Sequence, residues 1–426
     1  MRKLALFDTV LAMLLLAQSS HAQDCQSSKD FERLPGKQID AANCEFPQQK
    51  AHWFDALGTT AHKTLANTVL TKIETLEKQS RSQFNLVGGI LKTAFSSNSP
   101  AVMAGKYPLA NYSLNMGFHE YICVHNTMKV NGEYSIVFRA HVNRYSGMEK
   151  AFSFNNEAYF YETHKQYNGQ FIALHNFIKL EGLKNINNSK GFYQDIAEAS
   201  VKQNDRSVFM TRHWYFTKPG VLLFVPVTRK EYLEALLVYY EREKLMIADQ
   251  IKEIERESAG MMKNPEKYPQ LYESGKRSLV AKKAKYPDWE QKIETKKAIV
   301  QKALKENTAK WLAEPAVVKP KAERFSWKNN YGSKPNENVT VEVYNADTMA
   351  DAQQTGAFTF SGFWDNKGGT TIYKYNPEYF KGAEKNLAKP YMVELTYRYI
   401  KTTLGQSLVE NFTNNFDFDA VRNMLE

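Results

Sequence analysis

The sequence predicts an α+β protein with an antiparallel β-rich N-terminal region, a central antiparallel helical hairpin and a small α+β C-terminal domain. Three observations predict it. The hydrophobic period alternates between helical and two-residue spacing along the chain. Asn131-Gly132 and Asn168-Gly169 each sit between alternating runs, as hairpin turns that tolerate positive φ do. Two long stretches, after Thr228 and after Pro287, place apolar residues at alternating steps of three and four. An abundance of rings, 24 Tyr and 25 Phe, suits half-buried strands.

At the N-terminus, Arg2 and Lys3 precede the apolar run Val10 to Ala17, and Ser20-His21-Ala22 supplies small residues at a cut site. Despite Asp8, this is the layout of a secretory signal peptide over residues 1–22. It implies export, to the periplasm, the cell surface or the medium. A spanning helix needs about 20 apolar residues, and Gln18 to His21 arrive too early for one. The longest later apolar run, Val221 to Val227, is strand-length and holds Pro226, so no transmembrane segment is expected after cleavage. With three cysteines, stability does not rest on a disulfide framework. Cys25 and Cys44 are the expected pair, closing a loop of about 20 residues, with Cys123 as a small buried apolar residue.

Residues 23–227 form the expected β-rich α+β domain. Leu65, Val69, Ile73 and Leu76 give a helix over Thr60 to Gln79. Tyr121 to Val130 and Glu133 to Arg144 flank Asn131-Gly132, and a two-residue turn there would set His125 against Phe138, Ile122 against His141 and His119 against Arg144. His141 then falls on the opposite face from His119 and His125, and those two stand about 20 Å apart, so no metal site is expected. Glu157 to Lys165 and Phe171 to Leu180 flank the second turn, followed by strands at Val208 to Thr217 and Val221 to Val227.

Residues 228–314 form the expected hairpin. Thr228 and Glu231 make a capping box, and Leu233, Leu237, Tyr240, Lys244, Ile247, Ile251 and Ile254 form a seam. Trp289, Ile293, Val300, Leu304 and Trp311 form the second, across a connection of about 30 residues holding Gly260, Pro265, Pro269 and Gly275. Between Ser258 and Lys310 stand 13 basic and six acidic residues, a net +7 against +9 for the chain after residue 22. Lys276, Arg277, Lys282, Lys283, Lys285, Lys296 and Lys297 are therefore the candidate residues for an anionic envelope component or a protein partner. Export argues against nucleic acid as the partner, and the hairpin also offers a surface for homo-oligomers.

Residues 325–426 give the small α+β domain. Strands are expected at Asn338 to Tyr344, Phe358 to Phe363, Thr370 to Tyr375 and Tyr391 to Lys401, and helices at Leu404 to Phe412 and Phe418 to Leu425. Gly88-Gly89 and Gly368-Gly369 open no nucleotide-binding pattern, and no serine sits in a G-x-S-x-G elbow. No catalytic, cofactor-binding or metal-binding residue is assigned. Through Val225-Pro226-Val227-Thr228-Arg229-Lys230-Glu231-Tyr232-Leu233 and Asn376-Pro377-Glu378-Tyr379-Phe380, the chain resembles uncharacterised secreted proteins of Gram-negative bacteria. That resemblance covers two short motifs and implies export without an activity. The expectation is an exported, non-enzymatic binding or scaffolding protein. Two alternatives are an envelope-polymer hydrolase, with carboxylates such as Asp365, Glu378, Asp417 and Asp419 paired within about 5 to 10 Å, and a lipid or lipoprotein carrier with an apolar cavity.

Overall fold

In the computed structural model the described residues are 25–43, 57–103, 107–145, 149–152, 154, 166–167, 170–171, 177–180, 195–203, 207–284, 288–318, 324–328, 338–342 and 359–426. The leader-like residues 1–22, Cys44, Lys285 and the strand expected over 157–165 lie outside them. The chain is an α+β mixture folded into two compact units, and neither is continuous in sequence. The first comprises Met1–Ser146, Asn188–Val221 and Phe380–Glu426; the second comprises Gly147–Asn187 and Leu222–Tyr379. Consecutive domains over 23–227, 228–314 and 325–426 are therefore not what the chain builds. Strand pairing accounts for the difference, since it draws the last segment into the first unit.

The first unit is built on one sheet. In chain order its strands are β1 (Lys37–Ile39), β2 (Gly89–Met103), β3 (Tyr107–Val124), β4 (Thr127–Val130) and β5 (Ile136–Val142). Later segments add β10 (Asp195–Gln203), β11 (Ser207–Thr217) and β18 (Met392–Ile400), numbered so that β6 to β9 and β12 to β17 fall in the second unit. The order is β1-β2-β3-β5-β18-β11-β10, with β4 alongside the end of β3. Only β1 runs parallel to its neighbour among these pairs. The strand expected near Tyr391 is thus β18, buried mid-sheet between β5 and β11.

One face of this sheet makes the core. Tyr112, Leu114, Met116 and Phe118 of β3, Phe138 and Ala140 of β5, Leu395 and Tyr397 of β18, and Trp214 and Phe216 of β11 pack against two helices. These are α1 (Thr60–Ser80), through Val69, Leu70 and Ile73, and α6 (Thr403–Asn415), through Leu408, Val409 and Phe412. Helix α1 follows the expected period. Phe412 sits among the rings of Phe138, Trp214, Tyr397, Phe416 and Phe418 at centroid distances of 4.4 to 5.8 Å. Such pairs contribute about 0.5–1.5 kcal/mol each beyond area burial. The closing helix α7 (Phe418–Arg422) is capped by Asp417, whose carboxylate accepts from Ala420 N at 2.8 Å.

The expected turn at Asn131-Gly132 is corrected by the pairing. The tight turn is His125-Asn126, both at positive φ (52° and 55°), with Val124 facing Thr127. Asn131 to Ser135 instead form a bulge. Tyr121 faces Val130 in β4, yet Phe118 faces Ile136 in β5, so three extra residues loop out where the register resumes. Ser113 consequently faces His141, and Glu120 lies beside the bulge. The slip from the expected register is an odd number of residues, which moves His141 to the same face as His119.

The disulfide also departs from expectation. Cys25 bonds Cys123, with Cα atoms 5.8 Å apart, rather than Cys44. Cys25 N donates to the Asn126 carbonyl at 3.2 Å, and Cys25 packs with Phe31 and Tyr121. The β3–β4 turn thereby brings the strand thiol to the N-terminal segment. Among the described residues, no helix is long and apolar enough to cross a membrane.

The second unit holds β6 (Glu149–Ala151), β7 (Gln166–Tyr167), β8 (Gln170–Phe171), β9 (Phe177–Leu180), β12 (Phe224–Pro226), β13 (Val317–Val318), β14 (Arg324–Lys328), β15 (Asn338–Glu342), β16 (Thr370–Thr371) and β17 (Tyr373–Tyr375). The short pair β7–β8 flanks Asn168-Gly169, as expected for a hairpin. Its helices are α2 (Arg229–Met261), α3 (Pro269–Lys283), α4 (Trp289–Glu306) and α5 (Ala309–Ala313). Thr228 and Glu231 form the expected capping box of α2. The hairpin's return arm is two helices, α3 and α4, and Pro269 to Lys283 is helical instead of part of a long connection. Pro269 takes the first helical position, where its missing N–H costs nothing. Gly275 allows α3 to approach α2: a Cβ there would lie 2.9 Å from Met262 Cγ and 3.1 Å from Met261 Cβ.

Candidate functional site

The candidate cations of the helical arm lie mostly beside carboxylates. Lys282 Nζ is 2.8 Å from Glu257 Oε2, and Lys283 Nζ is 2.5 Å from Glu255 Oε1. Lys276 pairs with Glu273 at 3.3 Å and lies over the Tyr272 ring. Lys297 pairs with Glu241 and with Glu294, which hold its ammonium above its ordinary pKa. Lys296, 11 % exposed, reaches Glu243 at 3.5 Å. Arg277 is exposed. The reason is the sequence of α2, which carries eight acidic and six basic residues, and whose Glu241, Glu243, Glu255 and Glu257 meet lysines of the return arm. The +7 of the arm is thus partly neutralised by a neighbour that lies before Ser258. The structure does not gather Lys276, Arg277, Lys296 and Lys297 into one cluster, because they occupy two separate helices.

Three of the four candidate carboxylates have structural partners. Asp365 pairs with Arg229, whose guanidinium also meets Glu314 at 2.8 Å and stacks on Trp311 and Phe363. Asp417 caps α7 and Asp419 pairs with Arg422 at 2.8 Å. Phe363 packs in an aromatic core with Tyr232, Trp311 and Phe360.

A different concentration of chemistry lies on the second face of the first unit's sheet, opposite its core. That face is partly exposed at Lys92, Asn115 and Arg139 and buried at Ser113 and Glu394. Alternation puts every second residue of each strand there. Three ladders of facing residues cross it: Lys92, Gly117, Val137, Arg398 and Thr211; Ala94, Asn115, Arg139, Thr396 and His213; and Ser96, Ser113, His141, Glu394 and Tyr215. Gly117 lets the Tyr134 ring lie against this face, and Ala94 leaves space beside it. The result is a depression of about 350 Å³ lined by Lys92, Ser96, Asn115, His119, Tyr134 and Arg139, among others.

The bulge builds one wall. His119 Nδ1 donates to the Asn131 carbonyl at 2.9 Å, so the neutral ring keeps Nε2 as its acceptor. Ser135 donates to Glu120 at 2.7 Å, and Asn131 Oδ1 accepts from Glu133 N at 3.1 Å. These bonds hold Tyr134 above Gly117, with its ring edge-on to His119 at 6.0 Å. On the floor, Asn115 Nδ2 donates to Ser96 Oγ at 3.2 Å, and the Ser96 and Ser113 hydroxyls bond at 2.7 Å. Arg139 stands between neutral neighbours, Asn115 and Thr396, so no carboxylate faces it across either strand.

Beside the depression lies a buried polar pair. Glu394, with no exposed side-chain surface, accepts from His213 Nδ1 at 2.9 Å and faces His141 across β5. Burial holds the His141 imidazole below its ordinary pKa, with Arg139 and Arg144 acting the same way and Glu394 opposing them. Lys92, Asn115, His119 and Arg139 escaped the sequence-based expectation. Their signal is period-two polarity within β2, β3 and β5, but only the register, with its bulge, places them around one gap. Among the described residues, no group of three or more His, Cys, Asp or Glu is placed to hold a metal. No protein-family model matches the chain, and neither a curated protein nor a solved structure matches it significantly.

Proposed function

We propose that this is an exported, non-enzymatic binding or scaffolding protein that takes anionic envelope components on the second sheet face of its first unit. The observation that carries the reading is the Gly117 depression, where Lys92 and Arg139 flank a polar floor. Cationic walls around a concave site concentrate anions there. Export is supported by the pattern of residues 1–22 and by the Cys25–Cys123 bridge, since lasting disulfides belong to oxidising compartments. The helical arm is the weaker surface for this task, because Lys282, Lys283 and Lys297 already face glutamates.

The test is retention on immobilised polygalacturonate at low and moderate salt. The full chain is compared with a Lys92→Glu/Arg139→Glu variant and with a Lys282→Glu/Lys283→Glu/Lys285→Glu variant. We expect salt-sensitive binding that the sheet variant loses about tenfold or more, while the helical variant stays within about twofold. Loss confined to the helical variant would assign the surface to the hairpin instead. Salt-insensitive retention in all three would refute an electrostatic ligand.

A further inference from the structure

The depression has more structure than a generic anion trap, and we infer that it is a subsite for one anionic monosaccharide unit, a ring bearing a carboxylate or a phosphate. This inference rests on the anion-binding reading of the same face. Three features of the lining point to a sugar acid or sugar phosphate.

First, its dimensions suit a single ring. Lys92 on β2 and Arg139 on β5 are separated by one strand, β3, and by two residues along the strands, and therefore by about 12 Å, with Gly117 and Asn115 between them. A pocket of about 350 Å³ lies at the small end of ligand sites. Second, the floor is a hydroxyl reader. Ser96 and Asn115 bond one another at 3.2 Å and flank the gap on adjacent strands. A hydroxyl donates and accepts, so one ring hydroxyl can bond Ser96 Oγ and a second the Asn115 carbonyl oxygen. Sulfate offers no donor to that oxygen, and inorganic phosphate offers its P–OH but no second hydroxyl spaced along a ring.

Third, one wall is aromatic and held in place. Tyr134 is 49 % exposed yet fixed over Gly117 by the bonded bulge. A Cβ at position 117 would lie 3.2 Å from Tyr134 Cβ and Cδ1, so the glycine lets the ring close over the depression. An aromatic face beside polar groups offers the C–H side of a sugar ring an apolar partner. The anionic group then sits toward Arg139, whose planar fork matches a carboxylate or phosphate in two parallel bonds. Lys92 adds charge from the far side, and His119 offers Nε2 as a further acceptor for a hydroxyl.

The experiment titrates the full chain by calorimetry with glucuronate, glucose 6-phosphate, glucose and inorganic phosphate. Glucuronate and glucose 6-phosphate together ask whether the site prefers the carboxylate or the phosphate source. We expect either or both to bind at least ten times more tightly than glucose and than phosphate. Arg139→Gln should weaken that binding about tenfold or more, and Ser96→Ala/Asn115→Ala should remove the preference for a sugar over phosphate. Tyr134→Ala lies on an exposed loop position and keeps the test open if a strand variant fails to fold; it should also weaken the sugars but leave phosphate unchanged. If phosphate binds as tightly as both anionic sugars and Arg139→Gln abolishes it, the sugar assignment is overturned while the anion-binding reading stands. If no anion binds in an Arg139-dependent way, both fall.

Discussion

Removing the Cys25–Cys123 bridge is expected to destabilise the first unit by about 3 kcal/mol. The bridge joins residues 98 apart in sequence. In the chain-entropy account, a closed loop of that length restricts the unfolded ensemble by about 4.7 kcal/mol at 25 °C. The native contribution is smaller, since the N-terminal segment keeps other ties when the bond is cut. Its strand β1 pairs with β2, Arg81 donates to Gln38 at 2.7 Å, and Lys78 meets Asp40 at 3.0 Å. A Cys25→Ser variant removes the covalent link and leaves a small buried hydroxyl beside Phe31 and Tyr121. Urea denaturation followed by far-ultraviolet circular dichroism, with and without reductant, measures the difference. The oxidised wild type should unfold at higher urea than the variant, and reductant should bring the two together. A change below about 0.5 kcal/mol, or a peptide digest of the oxidised protein showing Cys25 linked to Cys44, would refute the reasoning.

Three further outcomes follow from single positions. Thr228→Ala removes the side chain that accepts from Glu231 N at 3.2 Å and should cost about 1 kcal/mol, read as a lower urea midpoint for the second unit. Gly275→Leu fills the close α2–α3 approach and should cost about 1–3 kcal/mol by overpacking, lowering the melting temperature; an unchanged melting temperature would show that the two helices part freely. For His141, burial lowers the folded-state pKa beneath the ordinary 6.5, so the folded chain takes up this proton later than the unfolded chain as pH falls. Its contribution is present above about pH 6.5 and lost as pH drops through that value toward the folded-state pKa. The variant His141→Gln should therefore lose less stability than wild type between pH 7 and pH 5, and parallel curves would count against the assignment.

Local chemistry was legible in the sequence wherever a residue acts on its own neighbours. The capping box at Thr228 and the period of α1 depend on residues three or four apart and appear where the spacing places them, whereas the seam of α2 is met in part: Leu233 and Tyr240 are buried, but so are Tyr232, Leu236 and Tyr239 outside it. Long-range pairing was not legible. Asn131-Gly132 has turn chemistry, but His125-Asn126 takes the turn, which lets β3 run unbroken to Val124 and carries Cys123 to Cys25. The strand from Met392 to Ile400 reads correctly as a strand; its neighbours, β5 and β11, are set by faces that no local pattern specifies. The candidate site shares that limitation. Lysines crowded in one helical stretch are conspicuous in sequence, whereas Lys92, Asn115 and Arg139 are distributed singly over three strands. Their proximity is a property of register alone, and the charges that were conspicuous are partly compensated by α2.

The central place of β18 orders events in time. It follows every other strand of this sheet in the chain, yet it bridges β5 and β11. Until it is seated, the sheet is two fragments, β1 to β5 and β10–β11, each with an exposed edge, and Phe412 lacks the aromatic core it packs into. Contacts of such long sequence separation slow folding, so this topology makes closure of the sheet a late step.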